Sequence, residues 1–291
     1  MHIDVAVQSS TLLGESPVWS VRTGLLWWVD ITGKAIHRWS PATGVHESKE
    51  ISSRPGSLAL TGDPDVVLVA SEGDLVWFDW STATSRHWVQ LEDGSESNRL
   101  NDGRCDPVGR LWVGSMWDPS SDRMFTGYLH RVEPDGRFTT VSDKVGVANG
   151  LAFSPTGDTM YFADTPHRTV WAYDYDVTTG ARTNERPFVE YGDLAGKPDG
   201  ACVDADGCYW NAAVRGAALH RFTPAGKLDR TIELPVSMPT MPAFGGPALE
   251  TLFVTSIGGG NPQEPLAGTV LALDVGVKGI EEPEFSGSPD G

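Results

Sequence analysis

Apolar positions along the chain never settle into a 3.6-residue period. They alternate, or run together in groups of four to six, which is the patterning of half-buried and buried β-strands rather than of amphipathic helices. One apolar run recurs six times: LLWWVDI from Leu25, VVLVAS from Val66, RLWVGSM from Arg110, TMYFADT from Thr159, CYWNAAV from Cys208 and TLFVTSI from Thr251. Turns rich in Gly, Pro and Asp precede most of them, such as DPVG at Asp106, SPTGD at Ser154 and DADG at Asp204. Such turns join neighbouring strands antiparallel. A second strand follows each run, among them AIHRW from Ala35, YLHRV from Tyr128 and ALHRF from Ala218.

The first strand of each unit starts near Glu15, Ser57, Asn101, Asn149, Asp199 and Met241, at intervals of 42, 44, 48, 50 and 42 residues. Several short strands per unit at that period predict a β-propeller. The expected fold class is therefore all-β, a six-bladed β-propeller forming one domain over residues 1–291 with a single metal site in its central channel. An N-terminal strand, about His2 to Val7, is expected to complete the last blade and close the ring, which leaves no long unpaired edge. The tail 286–291, SGSPDG, reads as frayed.

Composition narrows the partners. Acidic residues outnumber basic ones 39 to 22, a formal net charge of −17. A phosphate backbone needs a basic face, so nucleic acid is excluded and a small-molecule partner expected. The acidic surface favours a monomer or a weak homodimer. No apolar run approaches the length that spans a bilayer, so no membrane partner is expected. Three cysteines, Cys105, Cys202 and Cys208, lack metal-type spacing and read as free buried thiols. No basic n-region opens the chain, and the expected location is cytoplasmic.

The usual nucleophiles and bases are poor candidates. His37, His130 and His220 share one phrase, His-Arg plus an apolar residue, in three units whose equivalents elsewhere hold Phe78, Tyr173 and Leu273. A slot that accepts aromatics and leucine is a packing position. His46, His87 and His167 fall in turn-like stretches, and His2 is terminal. No G-x-S-x-G elbow, H-E-x-x-H, phosphate loop or dinucleotide fingerprint is present.

An oxygen-rich inner ring remains. Equivalent positions on the innermost strands converge at one mouth of the channel, which brings Glu15, Asn101, Asn149 and Asp199 together. Two carboxylates and an amide oxygen (Glu15, Asp199, Asn149) suit a hard divalent cation such as Ca²⁺, Mg²⁺ or Mn²⁺. The competing reading takes Asn149-Gly150 and Asp199-Gly200 as simple turn dipeptides. Arg99 and Asn101 offer the donors and acceptors that a polyhydroxylated or carboxyl-bearing ligand needs. Asp118 reaches the same mouth, and Asp102 is expected to order its own loop.

With GESPVW at Gly14, RLNDGRCDPVGRLWVGSM at Arg99, NGLAFSPTG at Asn149, PDGACVDADG at Pro198, FGG at Phe244 and GVKG at Gly276, the chain resembles the SMP-30/gluconolactonase/LRE-like family, which includes regucalcin and bacterial sugar lactonases. The resemblance implies a six-bladed propeller with one divalent metal (Ca, Mg, Mn, Zn or Fe(II)) on Glu15, Asn149 and Asp199, and substrate contacts at Arg99 and Asn101. It departs in GSMWDPSSD, where Pro119 stands in place of the family's acidic substrate contact and Asp118 is its neighbour. The implied reaction is hydrolysis of an aldonolactone (glucono-, xylono- or arabinonolactone) to its aldonic acid. Asp199 or a metal-bound hydroxide would be the base. A phosphotriesterase-like hydrolase, or a propeller that binds metal or ligand without turnover, are the alternatives.

Overall fold

The computed structural model describes residues 2–94, 97–118, 125–259 and 263–290, and Pro119 lies outside them. The chain opens with β1 (Ile3–Val7), then builds a first blade from β2 (Gly14–Ser20), β3 (Leu25–Asp30), β4 (Ala35–Trp39) and β5 (His46–Glu50). The second blade is β6 (Pro55–Leu60), β7 (Val66–Ser71), β8 (Asp74–Asp79) and β9 (Thr84–Gln90), and the third β10 (Asn98–Cys105), β11 (Leu111–Trp117), β12 (Gly127–Val132) and β13 (Phe138–Val145). The fourth is β14 (Ala148–Phe153), β15 (Thr159–Asp164), β16 (Thr169–Asp176) and β17 (Ala181–Glu190). The fifth is β18 (Lys197–Val203), β19 (Tyr209–Val214), β20 (Ala218–Phe222) and β21 (Leu228–Glu233). In the last blade β22 (Pro239–Gly245), β23 (Thr251–Ser256) and β24 (Val270–Asp274) are completed by β1, which pairs antiparallel with β24. The ring is a six-bladed propeller, closed by the chain's first strand. Among the described residues the only helical element is a single 3₁₀ turn, Thr165–His167.

Strand alternation builds the core. Successive side chains point to opposite faces of a sheet, so neighbouring residues feed different interfaces between blades. Trp27 packs with Trp80 and Phe78 between the first and second blades, whereas Trp28 packs with Trp19 and Phe253 between the sixth and first. Each of the six blade interfaces holds one such cluster. Burial of each large side chain contributes about 1.5–3 kcal/mol. His37, His130 and His220 are all buried in the third strand of their blades. Cross-strand partners hold their rings: His46 for His37, Thr140 for His130 and Thr231 for His220. The sequence places His46 and His87 in turns; they lie instead in the outer strands β5 and β9.

Every inner strand is broken at the same place. Pairing with the second strand skips between Glu15 and Val18, Pro55 and Ser57, Leu100 and Gly103, Asn149 and Ala152, Pro198 and Ala201, and Pro239 and Pro242. Bulges of this kind re-aim side chains away from the regular ladder. They also decide between the two readings of the glycine dipeptides. Asn149-Gly150 and Asp199-Gly200 are not hairpin turns but bulges inside strands. Gly150 has φ +62°, and a Cβ there would meet Tyr209 Oη at 2.4 Å; a Cβ on Gly200 would meet the Met241 side chain at 2.5 Å.

The opposite end of the channel is bridged by Arg104. Arg104, three residues beyond Asn101, reaches across to the carbonyls of Leu151 (2.7 Å) and Ala201 (2.6 Å) and pairs with Glu282. The C-terminal segment that carries Glu282 is anchored by hydrogen bonds from Phe285 to Leu60 and from Ser286 to Gly109. It runs beside the ends of the inner strands remote from Glu15 and Asn149.

Candidate active site

Asn101 on β10 and Asn149 on β14 touch directly. Asn101 Nδ2 donates to Asn149 Oδ1 at 3.1 Å and to the Ala148 carbonyl at 2.9 Å. Asn101 Oδ1 accepts from Arg99 Nη1 at 2.7 Å, and the same nitrogen donates to Leu100 O at 3.1 Å. Arg99, Asn101, Asn149 and Asp199 are all buried, and Glu15 is part-buried. The guanidinium of Arg99 therefore sits in the mouth with no carboxylate in ion-pair contact among the described residues. Burial lowers its pKa, opposed chiefly by the charge of Asp118.

The carboxylates show the reverse problem. Burial, then the charges of Asp199 and Asp102, hold the Glu15 carboxyl well above the usual range, opposed only by the Ser16 amide and Arg99. Asp199 is raised in the same direction by burial and by Asp102, opposed by the Gly200 amide and Arg99. Asp102 is raised by burial against the pull of Arg104. Its Oδ2 accepts from the Leu151 amide at 2.9 Å, while its Oδ1 is buried without a partner. Asp102 thus does not order a loop, as its sequence position implies. It lies inside β10 and ties the third blade to the fourth.

These groups fit a hard cation. Three carboxyl groups share one low-dielectric mouth with too few donors to replace the water they lose, and a divalent ion on oxygen ligands removes that cost. Among the described residues no group of three His, Cys, Asp or Glu forms a cage of its own. The oxygen atoms on offer there are the carboxylates of Glu15 and Asp199 and the amide oxygen of Asn149.

Asp118 joins from the rim through a residue that sequence reasoning missed. Arg54 pairs with Asp118 and reaches both oxygens of Glu72, Nε at 2.8 Å and Nη2 at 2.9 Å. Arg54 immediately precedes β6, one of the two inner strands with no member of the polar ring, so strand phase carried no signal for it. Thr165 was missed as well: it accepts from Asn149 Nδ2 at 2.8 Å but lies in the 3₁₀ turn, outside any inner strand. A cavity of about 590 Å³ between the fourth and fifth blades, lined by Tyr161, Phe188 and Pro224, contains none of these residues.

Comparison with known proteins agrees with this architecture. The model of the SMP-30/gluconolactonase/LRE-like region matches residues 13–258. The 6-deoxy-6-sulfogluconolactonase of Pseudomonas putida is 38% identical, over 97% of each chain. The pentonolactonase of Haloferax volcanii is 34% identical over 98% of each. Among solved structures, a calcium-binding regucalcin from Agrobacterium tumefaciens superposes with a TM-score of 0.90 at 30% identity, covering 97% of this chain and 96% of that one. The chain therefore belongs to the SMP-30/gluconolactonase/LRE-like family.

Proposed function

We propose that this lactonase opens a sugar-acid lactone to its aldonic acid, using one divalent metal ion held by Glu15, Asn149 and Asp199. Lactone chemistry rests on relatives named as lactonases of sulfogluconolactone and of pentonolactones, matched over nearly the whole chain. The observation that carries the site is the cluster of the carboxyl groups Glu15, Asp102 and Asp199, with Asp102 Oδ1 buried without a donor, beside the Arg99 guanidinium, which pairs with no carboxylate among the described residues.

When bound, the metal would polarise the lactone carbonyl and stabilise the oxyanion formed by attack of water. Asp199 takes one proton from the attacking water and returns it to the ring oxygen as the acyl C–O bond breaks, leaving a free hydroxyl and a carboxylic acid that then releases its remaining proton to solvent. Arg99, whose Nε and Nη2 have no hydrogen-bond partner among the described residues, orients the sugar oxygens and supplies proximity. Both amide hydrogens of Asn101 are already used, so it meets a sugar hydroxyl only as an acceptor. Arg54 adds no net positive charge to the rim, because Glu72 and Asp118 both pair with it. That balance favours a neutral aldonolactone over one with an anionic substituent.

Proton release from xylono-, glucono-, arabinono- and 6-deoxy-6-sulfogluconolactone, corrected for spontaneous hydrolysis, tests the reaction and ranks the sugars. The neutral lactones are expected to lead. Folded, metal-supplemented protein that accelerates none of them overturns the proposal, and turnover of a phosphotriester in their place would redirect it.

A further inference from the structure

A single hydrogen-bond chain with one polarity threads the mouth. Arg99 Nη1 donates to Asn101 Oδ1 (2.7 Å), Asn101 Nδ2 to Asn149 Oδ1 (3.1 Å), Asn149 Nδ2 to Thr165 Oγ1 (2.8 Å), and Thr165 Oγ1 to the Pro198 carbonyl (2.8 Å). Both ends are chemically fixed. A guanidinium can only donate and a carbonyl can only accept, so each amide between them has one allowed orientation. Pro198 immediately precedes Asp199, and the chain thus runs from the proposed substrate contacts through one proposed metal ligand to the backbone of the other.

Thr165 is the junction. Its hydroxyl hydrogen is committed to Pro198, so only lone pairs face Asn149, and those accept an N–H but repel a carbonyl oxygen. Asn149 must then turn its nitrogen to Thr165 and its oxygen to the side of Asn101. We propose that the Thr165 hydroxyl is a positioning group that keeps the Asn149 oxygen presented to the cation and locks the ligand on β14 to the strand that carries Asp199. Groups that orient metal ligands in this way commonly control affinity by about 10- to 100-fold. This inference rests on the metal reading given above.

The test is titration of chelator-stripped protein with Mn²⁺, read by the electron paramagnetic resonance of the free ion, with urea denaturation in parallel. Thr165→Val, which keeps the shape and removes the hydroxyl, is expected to weaken Mn²⁺ binding about 10- to 100-fold with the metal-free urea midpoint little changed. Thr165→Ser is expected to bind close to wild type. Should Thr165→Val not fold, Thr165→Ala carries the same expectation. Asn149→Ala and Asp199→Asn separate the two levels of the argument. If they lose Mn²⁺ while Thr165→Val binds as tightly as wild type, the role of Thr165 is wrong and the metal site stands. If Asn149→Ala and Asp199→Asn also bind unchanged, the metal reading fails and takes this inference with it.

Discussion

Two sets of aspartates are buried in this propeller and are treated in opposite ways. At the turn between β18 and β19, Asp204 accepts from the amides of Asp206 (3.0 Å) and Cys208 (2.9 Å), from Trp210 Nε1 (2.8 Å) and from Arg221 Nε (2.8 Å). Asp106, at the corresponding turn of the third blade, accepts from Val108, Arg110 and Tyr175. At the channel mouth, Asp102 has one oxygen with no donor, and Asp199 has, among the described residues, only the Gly200 amide. Burial alone does not mark a functional carboxylate. The number of donors left around it does, because a fully bonded carboxylate holds the fold and a starved one is waiting for a ligand.

The contrast breaks most visibly under substitution. Asp199→Asn is expected to lower kcat about a thousandfold, within the range for loss of a positioned base. It should raise the stability of the metal-stripped protein, since an uncompensated charge leaves the interior. Initial rates and urea melts of the same preparation read both effects, and unchanged turnover would remove Asp199 from the mechanism. Asp204→Ala should do the reverse. Loss of about 3–5 kcal/mol is expected because Arg221 and Trp210 lose their shared acceptor, while any folded fraction keeps its specific activity. A drop in stability of similar size for both variants would erase the distinction.

His37 sharpens the comparison from the cationic side. Burial and the neighbouring His46 lower its pKa to about 4. The folded protein therefore resists a proton that the unfolded chain accepts near pH 6.5. As pH falls from 6.5 towards 4, the unfolded state binds more protons and stability is lost, on the order of 3 kcal/mol from this one group. His37→Phe, which places in the first blade the residue that Phe78 supplies in the second, should flatten that part of the pH profile. A profile identical to wild type would contradict the assignment. The smallest expected effect is at the rim: Arg54→Gln frees Asp118 and should raise KM about tenfold, the scale of one charge-assisted hydrogen bond. A loss confined to kcat would place Arg54 deeper in the chemistry.

Much of the architecture was legible because repetition is visible without contacts. Six equivalent apolar runs set the blade number, and the leading strand at Ile3–Val7 announced the closure that β1 makes with β24. The meeting of Asn101 and Asn149 followed from phase, since both lie at the equivalent bulge of an inner strand. What stayed hidden depends on side-chain reach. Thr165 contributes from the 3₁₀ turn that follows a second strand, and Arg54 from a linker ahead of an apolar one, so neither shares the phase of the ring. Asp102 looked like a loop residue because Asn-Asp-Gly is turn chemistry; the bulge that every inner strand carries explains why the same letters sit inside β10. DADG and DPVG were readable as turns, but not the hydrogen bonds by which Asp204 and Asp106 grip Arg221 and Tyr175.

The most direct test of the account is aldonolactone hydrolysis by one preparation before chelation, after it, and after a divalent metal is returned. The expected result is a fall to the spontaneous rate on stripping, with the fold intact, and recovery when the metal is restored. Full activity in verified metal-free protein would contradict the central claim that the starved carboxylates of the channel are a cation site.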